Sequence, residues 1–514
     1  MRTTPLRRPR VVALAAIAGA SLLLAGCSGT SSPKDSAPGT APDISIASVS
    51  APNSMDPAQL VDGNQMYVWA SVYDTLLARD SKSGDLIPNA AESWNYNADG
   101  TQLTLKLRPG MKFSNGDPVN ADAVAKTMLR TKSTPGILQP KYAKVANVTA
   151  KDDLTVVVSF TAFDPQFVEN LPLGAGAIAD PKTFNDPAIK TNPIGSGPYT
   201  LDLADSVPGT SYVLKRRADY WDAEKYPFPK VTVRVLQDPT AVFNALQAGE
   251  LDVATVQPQM AAKLDPAKFT VTKVNAQAVG YLDVLDRAGA KWPALGDKRV
   301  RQAINYAINR EGILKGIFAD SGQTTEQVLN PSGKVYDAGL NNTYVYDVSK
   351  GKELVKEAGY AGQTFKIPST YLTTAVEATL SQAFKDIGLG LEWVPVPPQQ
   401  AQTALTSGQF GLAYQVTGLG SDPGDTFSHF APDGFQNPTH YTNPTLDGFF
   451  NVINHTVNFQ DALPAYKKLN AYAVDEAYEA PIVYYGTSWA TKRGVTMIGY
   501  GGAPSTLRNF TYNG

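Results

Sequence analysis

Polar and apolar residues alternate in short blocks along this chain, and each block predicts an element. Residues 44–48 (ISIAS) alternate as a half-buried strand does. Residues 101–107 (TQLTLKL) alternate strictly after the Asp99-Gly100 turn, and a second turn, Asn115-Gly116, follows residues 111–113. That arrangement predicts a hairpin-rich subdomain. Asn120 is placed to cap a helix carrying Val124, Met128 and Leu129, after which residues 154–160 (LTVVVSF) return as strand. Strands follow over 211–215 and 231–236. A helix over 240–248 then stops at Gly249, and residues 251–253 resume extended structure, the punctuation of a crossover unit.

The clearest helix begins at Asp297. Val300, Ala303, Ile304, Ala307 and Ile308 recur at helical spacing, with Arg299, Arg301 and Arg310 expected on the outer face. Another helix starts at Ser349 and stops at Gly359. Val376, Leu380 and Phe384 form a further apolar stripe, and residues 391–394 read as strand. Strands and helices that alternate in this way predict an α/β chain with mixed sheets in more than one lobe.

The N-terminus follows a different pattern. Arg2, Arg7, Arg8 and Arg10 precede an apolar run over 11–24, which ends in Leu24-Ala25-Gly26-Cys27. A basic head, a short apolar segment and small residues before a cleavage point describe a signal peptide, here 1–26. The run is too short for a comfortable membrane-spanning helix. Leu-Ala-Gly-Cys resembles the bacterial lipobox, which would make Cys27 the lipidated first residue of the exported chain. Residues 28–42 (SGTSSPKDSAPGTAP) are small, polar and proline-rich, so 27–42 reads as a lipidated N-terminus and flexible tether.

Composition narrows the function. The net charge is −2, without the basic footprint of a nucleic-acid binder. Cys27 is the one cysteine, so a disulfide within the body is excluded. Three histidines, His429, His440 and His455, leave little material for a metal or haem centre, and no cofactor is expected. Neither Gly-x-Ser-x-Gly nor His-Glu-x-x-His occurs; Gly486-Thr487-Ser488-Trp489-Ala490 comes nearest the first. A secreted hydrolase is therefore the disfavoured alternative. Gly174-Ala175-Gly176-Ala177-Ile178-Ala179 approaches a dinucleotide fingerprint but lacks its strand–turn–helix setting.

A series of blocks resembles the extracytoplasmic solute-binding proteins of bacterial ABC importers, the peptide/nickel group called family 5. They include Ser54-Met55-Asp56-Pro57-Ala58, Val72-Tyr73-Asp74-Thr75-Leu76-Leu77, Ala91-Glu92-Ser93-Trp94 and Leu107-Arg108-Pro109-Gly110-Met111-Lys112-Phe113. Pro193-Ile194-Gly195-Ser196-Gly197-Pro198-Tyr199, Leu246-Gln247-Ala248-Gly249-Glu250-Leu251-Asp252 and Arg299-Val300-Arg301-Gln302-Ala303-Ile304-Asn305-Tyr306 continue the series. Most of these blocks read as structural, Trp94 as core among them. The resemblance implies a two-lobed periplasmic-binding-protein-like fold, type II, of the large cluster with an inserted subdomain. Lobe I would comprise 43–72, 190–275 and 487–514, the insertion 73–189, and lobe II 276–486. A hinge between the lobes would close them over a small solute.

The resemblance also implies site residues. Peptide-binding members present an aspartate to the peptide amino terminus four residues before a proline. Here the segment reads Val416-Thr417-Gly418-Leu419-Gly420-Ser421-Asp422-Pro423, and the matching position is Leu419. A buried ammonium would lose its partner there. A register shift would bring Asp422 or Asp425 into the pocket; otherwise both read as turn or helix-cap residues. Tyr485 falls where relatives place a ligand-facing tyrosine, although Tyr484 and Tyr485 read equally as alternating strand residues. Asn53, Tyr371 and, more weakly, Trp393 complete the candidates. Peptide stays the family default, with oligosaccharides, opines and other non-peptide solutes as the alternative. The implied partners are an ABC permease and ATPase, and the membrane through lipid on Cys27. The implied state is a non-enzymatic monomer outside the cell membrane.

Overall fold

The computed structural model describes residues 41–397, 400–499 and 502–513; the proposed signal peptide, Cys27 and most of the tether lie outside them. Among the described residues the main sheet has nine strands. At its centre Ile44–Ser48 runs parallel to Lys230–Val235 on one side and to Val253–Val256 on the other. The helix Pro239–Gln247 connects these two neighbours, capped by Asp238 and followed by Gly249 at φ +73°. This is the crossover unit the sequence predicts.

Two long strands carry the sheet onward. Phe269–Val284 and Glu479–Lys492 pair antiparallel along their length, and Leu412–Gly418 adds to the outer edge of the first. Their register slips between Val274 and Ala278. A bulge leaves residues unpaired and bends a strand locally, so rigid pairing is interrupted there. Residues before the slip pair beside the first-lobe strand Val253–Val256; residues after it pair in the second lobe.

Apolar side chains gather on either side of this slip. In the first lobe one core packs Ile46, Trp69, Tyr199, Val231 and Val253. Beside it, the four-stranded antiparallel sheet of Ala91–Tyr96, Gln102–Leu107, Thr155–Phe160 and Val145–Asp152 packs its own core against the helix Ala121–Ser133. Asn120 caps that helix by accepting the Ala123 N–H, and Trp94 packs half-buried against this core. In the second lobe, two cores lie on opposite faces of the long strands. Leu282, Ile482 and Tyr414 belong to one, Val279, Tyr281 and Tyr484 to the other.

Helix Lys298–Ala307 buries Val300, Ala303, Ile304 and Ala307 as its spacing predicts. Two of the three arginines expected on its outer face are instead buried. Arg301 donates to the Leu295, Gly296 and Glu476 carbonyls and pairs with the Glu476 carboxylate at 3.0 Å. Arg310 opens a separate helix, Arg310–Phe318, and donates to the carbonyls of Thr325, Pro481 and Asn305. A guanidinium with five donors can satisfy several orphan carbonyls at once, and that outweighs its tendency toward water. Only Arg299 stays at the surface. Gly174–Gly176 forms a single tight turn, not the start of a nucleotide-binding helix.

Candidate functional site

Two adjoining cavities, of about 720 and 360 Å3, open between the lobes. Their first-lobe wall carries Arg79 and Glu169, paired at 2.5 Å, and the exposed turn that follows strand Leu77–Arg79. Their second-lobe wall comprises residues 418–424 and 332–334, with Gln277, Asn330 and Phe459. Residues 502–505 close the smaller cavity from the C-terminal side. Lys334 reaches from the second lobe to Asp85 of the first.

The loop 418–421 is held from both ends. Its start continues Leu412–Gly418, and the Leu419 N–H donates to the Gln277 carbonyl at 3.3 Å. Its end is the N-cap of helix Asp422–Phe430, where the Ser421 hydroxyl accepts from the Gly424 N–H. Asp425 accepts the Gly420 N–H at 2.9 Å. Asp422 accepts the Lys334 N–H at 2.7 Å on Oδ2, while its Oδ1 is buried with no hydrogen-bond partner. Burial pushes both carboxyls up, Asp425 to about 7 despite His429 and the Gly420 N–H.

Behind that helix lies a buried charged cluster. Arg287 lies between Asp283 and Glu479, at 3.4 and 3.5 Å, and donates to the carbonyls of His429 and Gln436. His429 Nδ1 lies 2.7 Å from Glu479 Oε1, and Gln415 donates to Asp283 at 2.6 Å. Burial raises the Asp283 carboxyl, against the attraction of Arg287. Burial would lower the His429 imidazole, but the Glu479 carboxylate outweighs it and the net shift is upward. Buried ions of this kind survive only when each is paired and hydrogen-bonded. Helix Asp422–Phe430 and the two long strands are thus joined through His429, Glu479 and Arg287.

The candidate residues divide on this geometry. Gly418, Leu419 and Asp422 line the cavities, with Leu419 only 6% exposed. Val416 and Tyr485 pack with the core on the other face of the sheet, where the Tyr485 and Tyr414 hydroxyls lie 2.6 Å apart. Thr417 points its hydroxyl into the protein, where it is buried without a partner. Asn53 sits on an exposed turn, its N–H donating to Gln65, and Tyr371 is 73% exposed. None of these last five lines the two cavities. Trp393 donates to the Ser381 hydroxyl and packs against the second-lobe core.

Sequence reasoning missed Arg79, Glu169, Gln277, Lys334 and residues 502–505. They come from segments far apart in the chain and carry no local motif, so only the fold brings them together. Among the described residues no group of three or more His, Cys, Asp or Glu side chains could hold a metal, and no helix is long and apolar enough to cross a membrane.

Comparison with known proteins adds a relationship to this geometry. The model of bacterial extracellular solute-binding proteins, family 5, matches residues 85–438. The chain is 27% identical over 494 residues to the glutathione-binding protein GsiB of Pectobacterium atrosepticum, covering 91% of this chain and 93% of that protein. It is 24% identical over 520 residues to heme-binding protein A of Haemophilus influenzae, again covering 91% and 93%. Among solved structures, the ABC transporter substrate-binding protein CtaP of Listeria monocytogenes superposes with a TM-score of 0.79 at 23% identity, over 91% of this chain and 99% of that one.

Proposed function

The chain belongs to the bacterial extracellular solute-binding proteins of family 5, and from that premise we propose that it captures a peptide-like solute between its lobes for an ABC importer. One observation carries this reading: the two adjoining cavities draw their walls from both lobes, on either side of the crossover strands. A solute there contacts both halves and so favours the closed form. The first-lobe wall carries the Arg79–Glu169 ion pair and Lys82, groups of both signs for a zwitterion to meet. The relative named for glutathione, itself peptide-like, supports the same class.

A second reading has its own observation. Leu419 stands where peptide-binding relatives carry an aspartate, and one oxygen of the Asp422 carboxylate is already held by the 330–334 loop. A non-peptide solute, an oligosaccharide or an opine, needs no ammonium partner at this place. In either case the solute rests on the wall formed by Gly418, Leu419 and Asp422, with the Leu419 side chain buried in the core behind it.

The wider reading has lobe I as 43–72, 190–275 and 487–514, the insertion as 73–189 and lobe II as 276–486; the separate apolar cores of the two lobes support the split between them, while Tyr73, Leu138, Ala177 and Ala179 of the insertion pack in the lobe I core. Signal cleavage before Cys27 and lipid on that residue would tether a monomeric, non-enzymatic body outside the cell membrane. The test is native mass spectrometry of the body from Ser28, purified from its host, with release of any bound molecule by denaturation. A peptide or peptide-like solute at one per chain supports the first reading. A sugar or opine supports the second, and a body that turns over the bound molecule would overturn both.

A further inference from the structure

The C-terminal hairpin pairs Val495–Met497 with Phe510–Tyr512, and residues 502–509 of its connection are described. That connection is fastened at many points on the first-lobe side. Leu507 and Phe510 are buried in the first-lobe core. Ser81 donates to Asn509 at 2.9 Å, and Arg508 donates to Asn89 at 3.0 Å while lying 3.6 Å from Asp222. Asn509 in turn donates to the Pro504 carbonyl at 2.7 Å, which fixes the near end of 502–505.

Toward the second lobe, Gly502 makes a close approach. Gly502 has φ +81°, and a Cβ there would lie 2.5 Å from the Leu419 carbonyl oxygen and 3.0 Å from Asn330 Nδ2. Real Cβ atoms do not approach a backbone oxygen so closely. Only a residue without a side chain fits between the hairpin and the second-lobe wall. The same stretch, 502–505, lines the smaller cavity together with Gly418 and Leu419.

We propose that Gly502 is a closure-determining residue: it seats a first-lobe strap on the Leu419 carbonyl only when the lobes are shut. The strap travels with the first lobe, because its hydrogen bonds and buried side chains are there. Opening therefore parts the Gly502–Leu419 seam. A contact made in one state only shifts the equilibrium toward that state. The seam also ends the smaller cavity, so the strap sets how far a solute extends on that side. This inference rests on the reading of a closing cleft.

The test reads the distance between the lobes with and without the molecule released from the body. The body from Ser28 has no cysteine, so Lys151→Cys and Lys467→Cys, one in each lobe, give a single pair of spin labels for distance measurement. Gly502→Ala should reduce the short-distance population by at least half. Gly249→Ala is the control for backbone strain, since Gly249 has φ +73° with nothing within 4 Å of an added Cβ; it should leave the distribution unchanged. Ser81→Ala, which loosens the strap without touching the seam, should shift the distribution in the same direction and by less. Lys334→Glu, which sets like charges against Asp85, opens the cleft independently of the strap. If Lys334→Glu lengthens the distance while Gly502→Ala and Ser81→Ala leave it as in the parent, the strap proposal is overturned. If none of the three moves it and the solute does not shorten it in the parent, the closing cleft itself is wrong.

Discussion

Lys334 Nζ lies 2.8 Å from Asp85 Oδ1, and this ion pair joins the two lobes across the mouth of the larger cavity. Both side chains are about half exposed, at 49% and 53%. Lys334 holds the Asp85 carboxyl below its usual range. The pair thus acts as a latch at the rim, distinct from the apolar cores that hold each lobe.

An exposed pair of this kind contributes about 0–1 kcal/mol. Lys334→Ala should therefore weaken solute binding by no more than about fivefold, and added salt should erase the difference between variant and parent. Calorimetric titration at low and high ionic strength measures both. A loss far larger than this at both salt concentrations would mean that Lys334 contacts the solute directly.

Asp422 ties helix Asp422–Phe430 to the 330–334 loop through the Lys334 N–H. Asp422→Asn keeps an acceptor and should hold affinity within about threefold, whereas Asp422→Ala should lose about tenfold, the equivalent of one charge-assisted hydrogen bond. Binding abolished equally in both variants would instead mark Asp422 as an ion-pair partner of the solute.

Stability should depend on pH with a definite sign. Asp425 titrates at about 7 in the folded protein, against roughly 3.9 unfolded, because burial penalises its charged form. The unfolded chain therefore gives up this proton first, and the folded state loses stability as pH rises from about 4 through 7. Asp283 shifts in the same direction. His429, also raised, adds stability that is present below about pH 6.5 and lost as pH rises through its folded value. Carboxylates lowered by partners, such as Asp56 beside Arg130, oppose this only at more acid pH. Tm should fall between pH 5 and 8, and Asp425→Asn should flatten that slope. An unchanged slope in Asp425→Asn would contradict the assignment.

Arg310 donates to buried carbonyls drawn from three separate segments. Burial lowers its guanidinium to about 10, so it remains charged at neutral pH. Arg310→Ala should cost about 3–5 kcal/mol, since several buried acceptors lose their donor together. Urea unfolding gives the value; a cost under about 1 kcal/mol would show that water replaces the guanidinium freely.

The parts of the fold legible in the sequence are those whose signal is local. Residues 44–48 alternate because one strand has two faces, and Asp297, Asn120 and Gly249 mark helix ends by capping or positive φ. Arg301 and Arg310 show where local reading stops: helical spacing suggests solvent, but carbonyls from distant segments decide the matter. The site was legible only at 418–422, a contiguous loop. Arg79, Glu169, Lys334 and Gly502 come from four separate stretches, and no periodicity or motif in one stretch encodes its distance from another. Tyr485 illustrates the converse, since strand alternation fixes that it faces away from Tyr484 but not which face meets the cleft.

The most direct test of solute capture in the cleft is titration calorimetry of the ligand-stripped body with the molecule released from it, in the parent and in Ser332→Trp. Ser332 is exposed and lines the larger cavity, so an indole there occupies the space without disturbing a core. Saturable binding at one solute per chain in the parent, lost by at least a hundredfold in Ser332→Trp, is the predicted result. Equal affinity in the two proteins would place the solute elsewhere and contradict the account.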